Sequence, residues 1–350
     1  MNFQKIPPVE LSDVFLDIAF RRAREKVASK SKYPKDALQK ARVIEHLRLD
    51  VVKDNIIFRL ERILNTFPGT ITLPPFYQKI IKLTLDYKRL KESFGAVNWA
   101  HERIRKVHGQ YTSKVRKIKD VKTVKVLHKQ FYGRVASLLK QIDKNLSYLE
   151  EARRTMKTYP DIKELYTVCL YGFPNVGKST LLNTMTGTKA KTAAYSFTTV
   201  TINAGYIHMG DKTVQVLDVP GTLGRDKHND IEKQAELVLE EVADLIIYVY
   251  DITENCGYSI EKQKELRKKL GKDVIVYLSK KDLLEQDTID SFDEKHHTLD
   301  QIKELIDKES EERHQGLLKR LALEKSRLEA EEKAELDAAA AKELESSQES

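Results

Sequence analysis

One eight-residue loop limits the possible folds of this chain more than any other feature. Residues 172–179 read Gly-Phe-Pro-Asn-Val-Gly-Lys-Ser; they follow an apolar, β-rich run, Tyr166–Tyr171, and precede a helical stretch, Thr180–Met185. A glycine-rich loop between a strand and a helix wraps a phosphate group with its backbone amides, and the amino end of the helix faces the negative charge. The pattern therefore predicts a phosphate-binding loop.

Four more short β-rich runs follow this loop, with helical stretches between several of them. Such alternation predicts an α/β layer built on a largely parallel sheet. The runs are Thr201–Ile207, Val214–Leu217, Leu245–Tyr250 and Val274–Leu278, and the helical stretches include Ile231–Val242 and Ile260–Leu270.

The loop and the segments after it supply groups that suit a nucleoside triphosphate. Lys178 is predicted to reach the β- and γ-phosphates, and Ser179 to place its hydroxyl on Mg²⁺. Asp218, in Asp-Val-Pro-Gly, is predicted to hold a Mg²⁺ water, and the amide of Gly221 to meet the γ-phosphate. Tyr-Ser-Phe-Thr-Thr at 195–199 is predicted to be a loop that places a hydroxyl on Mg²⁺ and senses the γ-phosphate.

A further motif indicates which base is bound. Ser279-Lys280-Lys281-Asp282 follows the last apolar run. The carboxylate of Asp282 can accept hydrogen bonds from N1–H and the 2-amino group of guanine, which adenine cannot supply. The sequence therefore predicts a guanine nucleotide.

The first half of the chain has a different pattern. Within residues 10–160, apolar side chains recur at three- and four-residue spacing, which is typical of long helices. A few breakers would separate about four helices, and this predicts an antiparallel bundle. The breakers are Tyr33-Pro34, Pro68-Gly69, Pro74-Pro75, Gly109 and Tyr159-Pro160.

Charge is distributed unevenly between the two halves. The formal net charge is +8, but residues 1–165 carry 36 basic and 18 acidic side chains, whereas residues 166–350 carry 25 basic and 35 acidic ones. The densest basic run lies between His101 and Lys129. Such asymmetry favours a polyanionic partner, nucleic acid above all, although an acidic membrane, an acidic protein or a merely solvated helical face would also fit.

Composition excludes several classes of protein. An apolar run of about 18 residues, the minimum for a transmembrane helix, is absent. The first residues contain acids and prolines where a signal peptide needs an apolar stretch. Two cysteines, Cys169 and Cys256, cannot build a disulfide framework or a Cys-rich metal site. We therefore expect a cytoplasmic protein with no membrane partner.

The four motifs together resemble the guanine-nucleotide motifs of Obg-class GTPases. Two longer stretches, Asn229–Ala235 and Asp251–Ser259, are similar to the nucleolar GTP-binding protein 1 family. Parts of the helical half are similar as well, so that the resemblance covers nearly all of residues 1–300. These parts are Ile6–Val9, Arg-Ile-Leu-Asn-Thr-Phe-Pro around Phe67, Phe131–Ala136 and Ser147–Arg153.

The resemblance implies a role as well as a fold. Members of this family are GTPases of large ribosomal subunit assembly, with GTP or GDP and Mg²⁺ at the site and a helical domain on ribosomal RNA. The implied partners are ribosomal RNA, the pre-50S particle, and ribosomal proteins or assembly factors. The chain lacks the long C-terminal extension of eukaryotic members, so it resembles the short, archaeal type.

The motifs identify three sets of site residues. The nucleotide contacts are expected from Gly172, Pro174, Asn175, Val176, Gly177, Lys178, Ser179, Thr180, Thr198, Asp218, Gly221, Ser279, Lys280, Asp282 and Ser291. The metal is expected at Ser179, Thr199 and Asp218. The residues expected to act in hydrolysis are Lys178, Thr199 and Gly221.

Four positions bear on how well the site works. Ser279 stands where the family usually has Asn, which predicts weaker guanine binding. Ser291 is the nearest match to the Ser-Ala turn that packs under the base. Thr222 replaces the water-orienting Gln of Ras-like proteins, which predicts slow hydrolysis without a partner or an ion. Asn175 matches a residue that holds K⁺ in related GTPases, which predicts K⁺ stimulation.

The sequence thus predicts an α/β P-loop GTPase domain preceded by an all-α helical bundle. The expected domains are a basic, RNA-binding bundle over 1–162, a GTPase domain over 163–305 and a charged helical tail, partly disordered, over 306–350. The expected function is a GTP-hydrolysing switch in large-subunit assembly. The alternatives are a nucleotide-gated RNA-binding adaptor with little hydrolysis, and a GTPase acting on tRNA or translating ribosomes.

Overall fold

The computed structural model describes residues 3–70, 72–187, 193–197, 200–220, 230–270, 274–316, 318–319 and 326. The chain divides into two compact units, one formed mainly by residues 1–162 and the other mainly by residues 163–350. The first unit is helical and the second is built on a sheet, which confirms the predicted fold class. Within the described residues, no helix is long and apolar enough to cross a membrane.

The described part of the first unit contains six α-helices. They are α1 (Ser12–Ser29), α2 (Ala37–Thr66), α3 (Pro75–Thr84), α4 (Tyr87–Lys117), α5 (Val121–Gln141) and α6 (Asp143–Met156). Helix α2 packs against α1, α4 and α5, and α4 also packs against α6. Fully buried aliphatic side chains, such as Leu60 on α2 and Val97 on α4, form the core between them.

The expectation of about four helices was wrong, because aspartate caps start two of the six. Asp86 accepts a hydrogen bond from the backbone N–H of Arg89 (3.0 Å), and Asp120 from that of Thr123 (2.7 Å). Each carboxylate satisfies an orphan amide of the first helical turn and so starts α4 or α5. Gly109, expected as a breaker, lies inside α4. A helical glycine costs only about 1 kcal/mol, which the packing of a 31-residue helix offsets.

The described part of the second unit contains a six-stranded mixed sheet. Its strands are β1 (Tyr166–Tyr171), β2 (Ala193–Phe197), β3 (Val200–Met209), β4 (Lys212–Asp218), β5 (Leu245–Tyr250) and β6 (Val274–Leu278), in the spatial order β2-β3-β4-β1-β5-β6. Strand β1 pairs in parallel with β4 and β5, β5 pairs in parallel with β6, and β3 and β4 are antiparallel. The carboxyl ends of β1, β4, β5 and β6 therefore meet at one edge, where open α/β sheets bind ligands.

The segment predicted as a loop at 195–199 differs in part from that expectation. Residues 195–197 belong to β2, which lies beside β3 at the edge of the sheet. The five residues of β2, Ala-Ala-Tyr-Ser-Phe, do not alternate strictly between apolar and polar side chains, so the sequence does not distinguish them from a loop. Thr198 and Thr199 lie outside the described residues.

The described part of the second unit also contains helices. They are α7 (Lys178–Thr186), α8 (Asp230–Glu241), α9 (Ile260–Lys268), the short α10 (Gln286–Asp290), and α11 over residues 299–316. Helix α11 begins before the expected start of the tail at 306, and it is not exposed on all sides. Ile302 and Ile306 are fully buried, and Arg313 pairs with Asp244. The first part of the expected tail is therefore packed within the second unit.

Candidate nucleotide-binding site and basic helical surface

The backbone of residues 172–179 has the curvature that a phosphate-binding loop needs. Gly172 follows β1 at a φ of 146°, and a Cβ atom there would lie 2.7 Å from the carbonyl oxygen of Val249. Gly177 has a φ of 101° and immediately precedes α7. Because L side chains rarely adopt such φ values, glycine is required at both turns. The loop thus brings the amino end of α7 to the carboxyl edge of the sheet.

Lys178 is buried in this loop, with only 7% of the residue exposed. Its ammonium donates hydrogen bonds to the carbonyl oxygens of Gly172 (3.1 Å) and Phe173 (2.8 Å). Burial lowers the pKa of Lys178, and the nearby Asp218 carboxylate opposes that shift. A largely desolvated cation at the mouth of the loop attracts anions more strongly than one in water would.

The residues predicted to bind Mg²⁺ fit a hard divalent cation. Ser179 Oγ donates to Asp218 Oδ2 at 2.5 Å, so a hydroxyl and a carboxylate converge beside the phosphate-binding loop. Mg²⁺ prefers oxygen ligands of this kind, and it commonly takes one or two protein groups together with phosphates and water. Ser179 and Asp218 are therefore the described residues that would hold it.

The predicted guanine loop lies next to the phosphate-binding loop. Ser279 is buried, and both its backbone N–H and its hydroxyl donate to the carbonyl oxygen of Tyr250 at 2.9 Å. A Cβ atom on Gly177 would lie 3.3 Å from the Cβ of Ser279. Lys280 then adopts a left-handed φ of 53°, and Asp282 follows, exposed, in a 3₁₀ turn. An exposed carboxylate in this position is free to meet a base.

Four of the other predicted contacts belong to the loop or to the helix that follows it. Pro174, Asn175 and Val176 form its tip, with Asn175 exposed at a left-handed φ of 62°, and Thr180 is exposed on α7. Thr198, Thr199, Gly221 and Thr222 lie outside the described residues, so their roles stay predictions.

The motifs predict that Ser291 lies in a turn under the base. It ends α10, and its hydroxyl donates to the carbonyl oxygen of Thr288 at 2.9 Å. The segment that joins the sheet edge beside β6 comes later, where the N–H of His297 donates to the carbonyl oxygen of Val276. Thr298 ends this segment and caps α11 by exchanging hydrogen bonds with Gln301. The role of Ser291 in packing under the base therefore stays a prediction.

Sequence patterns did not reveal the aromatic support of the phosphate-binding loop. Phe173 stacks on Tyr258, with ring centroids 4.2 Å apart and an interplanar angle of 20°. Tyr258 lies in the segment Asp251–Ser259, whose sequence is not repetitive or apolar and gives no signal of this contact. The stack fixes the second residue of the loop.

In the first unit, one face of α4 carries a row of exposed side chains. Arg103, Lys106, Lys114 and Lys117 are all exposed and follow each other at multiples of three or four residues, so they share a face of the helix. We call these four side chains the basic stripe. It spans about 20 Å, since each helical residue adds ~1.5 Å. Trp99, 43% exposed, lies on the same face one turn earlier.

Other members of the basic run face different partners. Arg105 pairs with Glu61 at 2.7 Å, and His108 with Asp50 at 2.7 Å. Tyr111 packs against Phe131, with ring centroids 5.6 Å apart. These three residues are therefore engaged within the bundle. The four side chains of the basic stripe are exposed along one helix face, and Lys114 also lies over the Tyr111 ring, 4.9 Å from its centroid.

Comparison with known proteins agrees with this architecture. Residues 3–163 match the family described as "NOG1 N-terminal helical domain", and residues 167–280 match "50S ribosome-binding GTPase". An uncharacterized protein of Methanocaldococcus jannaschii is 36% identical over 82% of this chain and 83% of its own length. Nucleolar GTP-binding protein 1 of Encephalitozoon cuniculi is 30% identical over 81% of this chain. The chain belongs to the nucleolar GTP-binding protein 1 family.

Membership in the nucleolar GTP-binding protein 1 family makes the second unit a GTPase domain and the chain a GTP-binding protein. The relative from Drosophila melanogaster is 29% identical over 81% of this chain. The chain spans 55% of the Encephalitozoon protein and 44% of the Drosophila protein, so it corresponds to about half the length of these eukaryotic relatives.

Proposed function

We propose that this chain hydrolyses GTP as a switch in the assembly of the large ribosomal subunit and docks on ribosomal RNA through its bundle. The observation that carries the proposal is one chain with both a GTPase-type phosphate loop and an exposed basic stripe on α4. Its partners are then a pre-50S particle with its ribosomal RNA, ribosomal proteins and assembly factors. Lys and Arg on a helix mostly position RNA, so recognition depends on RNA shape.

Different residues of the site bind different parts of the nucleotide. Backbone amides of 172–179 and the amino end of α7 hold the phosphates, and Lys178 adds a desolvated positive charge. Bound Mg²⁺ would neutralise charge on the β- and γ-phosphates. Ser179 and Asp218 offer it oxygen ligands, while Asp282 selects guanine. The predicted contacts of Thr199 and Gly221 with the γ-phosphate would order their loops in the GTP state and release them after hydrolysis.

Hydrolysis by the isolated protein is proposed to be slow. Thr222 cannot orient water as a glutamine amide does, and the rate then depends on a partner or a bound ion. Asn175, exposed at the tip of the loop, is the residue through which K⁺ would act. Faster single-turnover hydrolysis in KCl than in NaCl, lost in Asn175→Ala, tests this part.

One observation favours the rival adaptor function. The hydroxyl of Ser279 is engaged with the carbonyl oxygen of Tyr250, so it offers less to the base and to the phosphate loop than an Asn amide would. An adaptor binds RNA in a nucleotide-dependent way but hardly hydrolyses GTP. Single-turnover hydrolysis with and without pre-50S particles separates the two, since only the switch is accelerated by particles. Preferential co-sedimentation with mature rather than precursor 50S particles, or binding to tRNA, would favour a role in translation.

The RNA-binding part is tested by charge removal on the full chain. The test variant carries Gln in place of the four side chains of the basic stripe, Arg103, Lys106, Lys114 and Lys117. We expect weaker association with pre-50S particles and a slope of log K against log salt concentration that is shallower by roughly 2–4. The matched control replaces Lys30, Lys32, Lys35 and Lys40, which are also exposed in the first unit, and so removes the same charge. GTP binding serves as the folding control for the second unit. Equal effects of both variants would show that net charge alone, and not the basic stripe, drives association.

A further inference from the structure

Asp251 is a fully buried carboxylate at the carboxyl end of β5, next to both nucleotide loops. It is 0% exposed and accepts four hydrogen bonds. Oδ1 accepts from the N–H (3.1 Å) and the hydroxyl (2.5 Å) of Thr253. Oδ2 accepts from the N–H of Cys256 (2.8 Å) and the ammonium of Lys280 (2.5 Å). One side chain thus contacts two separate segments of the chain.

The first of these segments is the predicted guanine loop. Lys280 is one of three non-glycine residues with a positive φ among those described, and such a backbone needs support. Its ammonium is held by Asp251, and the 3₁₀ turn Lys281–Leu283, which carries Asp282, follows directly. The ion pair therefore fixes the conformation from which Asp282 is presented.

The second segment is the turn that supports the phosphate-binding loop. By holding Thr253 and Cys256, Asp251 closes the turn that leads to Tyr258. Tyr258 stacks on Phe173, and the carbonyl oxygen of Phe173 accepts a hydrogen bond from Lys178. A displacement of this turn would therefore reach the ammonium that is predicted to contact the phosphates.

The backbone of Asp251 is itself held in place. The amide of Gln263, fully buried on α9, accepts from Asp251 N–H (2.9 Å) and donates to the carbonyl oxygens of Asp251 (2.9 Å) and Tyr258 (3.0 Å). Burial by itself would raise the pKa of Asp251, but the hydrogen bonds from Lys280 and Thr253 outweigh it, so that the pKa is lowered. The carboxylate is therefore ionised at neutral pH and pairs with Lys280 as a full charge.

We propose that Asp251 is a positioning residue that couples the guanine loop to the phosphate-binding loop, through Lys280 on one side and the Tyr258–Phe173 stack on the other. The proposal rests on the assignment of Ser279–Asp282 to guanine. Asp251 touches neither base nor phosphate; it fixes the distance between the groups that do. Base identity and phosphate affinity then become linked properties of one site.

The coupling is tested by nucleotide binding to the full chain. GDP, IDP and ADP are compared, because the hypoxanthine of IDP lacks the 2-amino group of guanine. In Asp251→Asn we expect GDP affinity to fall about tenfold and the GDP-to-IDP ratio to fall at least about fivefold, the lower end of typical couplings between sites. Asp287→Asn, the same substitution at an exposed carboxylate of α10, is the matched control and leaves the ratio as in wild type.

A double-mutant cycle shows whether Asp251 acts through Lys280. Lys280→Met should lower the ratio by a similar factor, and the double variant should be no worse than the more affected single variant. Independent, additive losses would overturn the proposed route. The route through the phosphate-binding loop is tested at Tyr258. Tyr258→Ser should lower GDP affinity, whereas Tyr258→Phe, which retains the stack on Phe173, should keep the wild-type affinity.

Failure of the coupling can be told apart from failure of the guanine assignment. If Asp282→Asn leaves the preference for GDP over ADP unchanged, the base-site assignment itself is wrong. If Asp282→Asn removes that preference but Asp251→Asn keeps the wild-type GDP-to-IDP ratio, the coupling alone is overturned. If Asp251→Asn does not fold, the cycle between Lys280→Met and Tyr258→Ser replaces it, and additive effects of these two on the ratio contradict the proposal.

Discussion

The side-chain oxygen of Ser179 lies 2.5 Å from Oδ2 of Asp218. These residues come from the first turn of α7 and the last position of β4, and Asp218 pairs in register with Leu170, near the end of β1. Parallel pairing of β1 with β4 brings the loop after one strand next to the carboxylate that ends the other. A hydroxyl and a carboxylate at this distance can ligate one cation together with phosphate oxygens.

We expect Ser179→Ala to remove most of the effect of Mg²⁺ on GDP binding. The substitution deletes one of the two described oxygen ligands, so the ratio of GDP affinities in Mg²⁺ and in EDTA should fall about tenfold. Thr184→Ala, which removes another exposed hydroxyl of α7, is the control. A wild-type Mg²⁺ dependence in Ser179→Ala would mean that the metal does not use this hydroxyl.

Lys178→Ala should abolish nucleotide binding and leave the bundle folded. Removal of a buried, hydrogen-bonded charge from a binding partner costs ~2–5 kcal/mol, which corresponds to a loss of affinity of at least about 30-fold. Lys262→Ala on α9 removes an exposed lysine of the same domain for comparison. Circular dichroism checks the helical content, and unchanged GTP affinity would contradict the placement of the site.

Much of the second unit was predictable because its strands are short, apolar and bounded by motifs. The limits of β1, β5 and β6 agree with the sequence prediction, since each is a short apolar run followed by a glycine or a polar residue, namely Gly172, Asp251 and Ser279. The sequence could not reveal contacts formed by tertiary packing, such as the Phe173–Tyr258 stack and the four hydrogen bonds of Asp251. Such contacts join residues that are distant in the chain and share no periodic pattern.

We expect Ser279→Asn to tighten GDP binding. Ser279 uses its hydroxyl on the carbonyl oxygen of Tyr250 and lies against Gly177, so an Asn amide at this position adds a second hydrogen-bonding arm between the two loops. One added hydrogen bond stabilises by about 0.5–1.5 kcal/mol, or roughly two- to tenfold in affinity. Competition titrations with GDP and ATP measure the affinity of both variants. If ATP competes as well as GTP in wild type, guanine recognition is refuted.

Glu45→Gln should stabilise the bundle above neutral pH. Glu45 is 1% exposed, and burial raises its pKa to about 7, although Arg48 opposes the shift. Between its ordinary pKa of 4.5 and 7 the folded chain holds a proton that the unfolded chain has lost, so the free energy of unfolding falls as pH rises through this window and levels off above it. At pH 8 the variant should gain roughly 1–3 kcal/mol over wild type.

The free energy of unfolding is measured by denaturant titration at several pH values, with the fluorescence of Trp99 as the signal. This is the single tryptophan of the chain, and it lies in the first unit, so its signal reports on the bundle. Glu92→Gln, at an exposed position of α4, is the control. Parallel pH profiles for wild type and Glu45→Gln would show that Glu45 is ionised in the fold throughout the range.

The helices of the bundle were less predictable than the strands of the sheet, and the exposed side chains of the bundle were not predictable individually. The basic run between His101 and Lys129 is plain in the sequence, but only the helix geometry separates Lys106, on the stripe, from Arg105, which pairs with Glu61. Trp99 lies outside that run and was not distinguishable from a core residue. A large apolar side chain in a helical pattern is usually buried, and its exposure became evident only in the structure.

Trp99→Ala should weaken RNA binding without changing its salt dependence. Trp99 is exposed one turn before Arg103 on the face of the basic stripe, where an unpaired base can stack on its indole while Arg103 and Lys106 contact phosphates. Loss of one stacked base costs ~1–3 kcal/mol, whereas the salt slope counts phosphate contacts and stays the same. Trp99→Phe should recover part of the loss, and Phe58→Ala, at an exposed aromatic residue of α2, is the control. If the charge variant of the stripe weakens binding while Trp99→Ala does not, the contact is purely ionic and the RNA at this face is a paired helix, because its bases are not available for stacking.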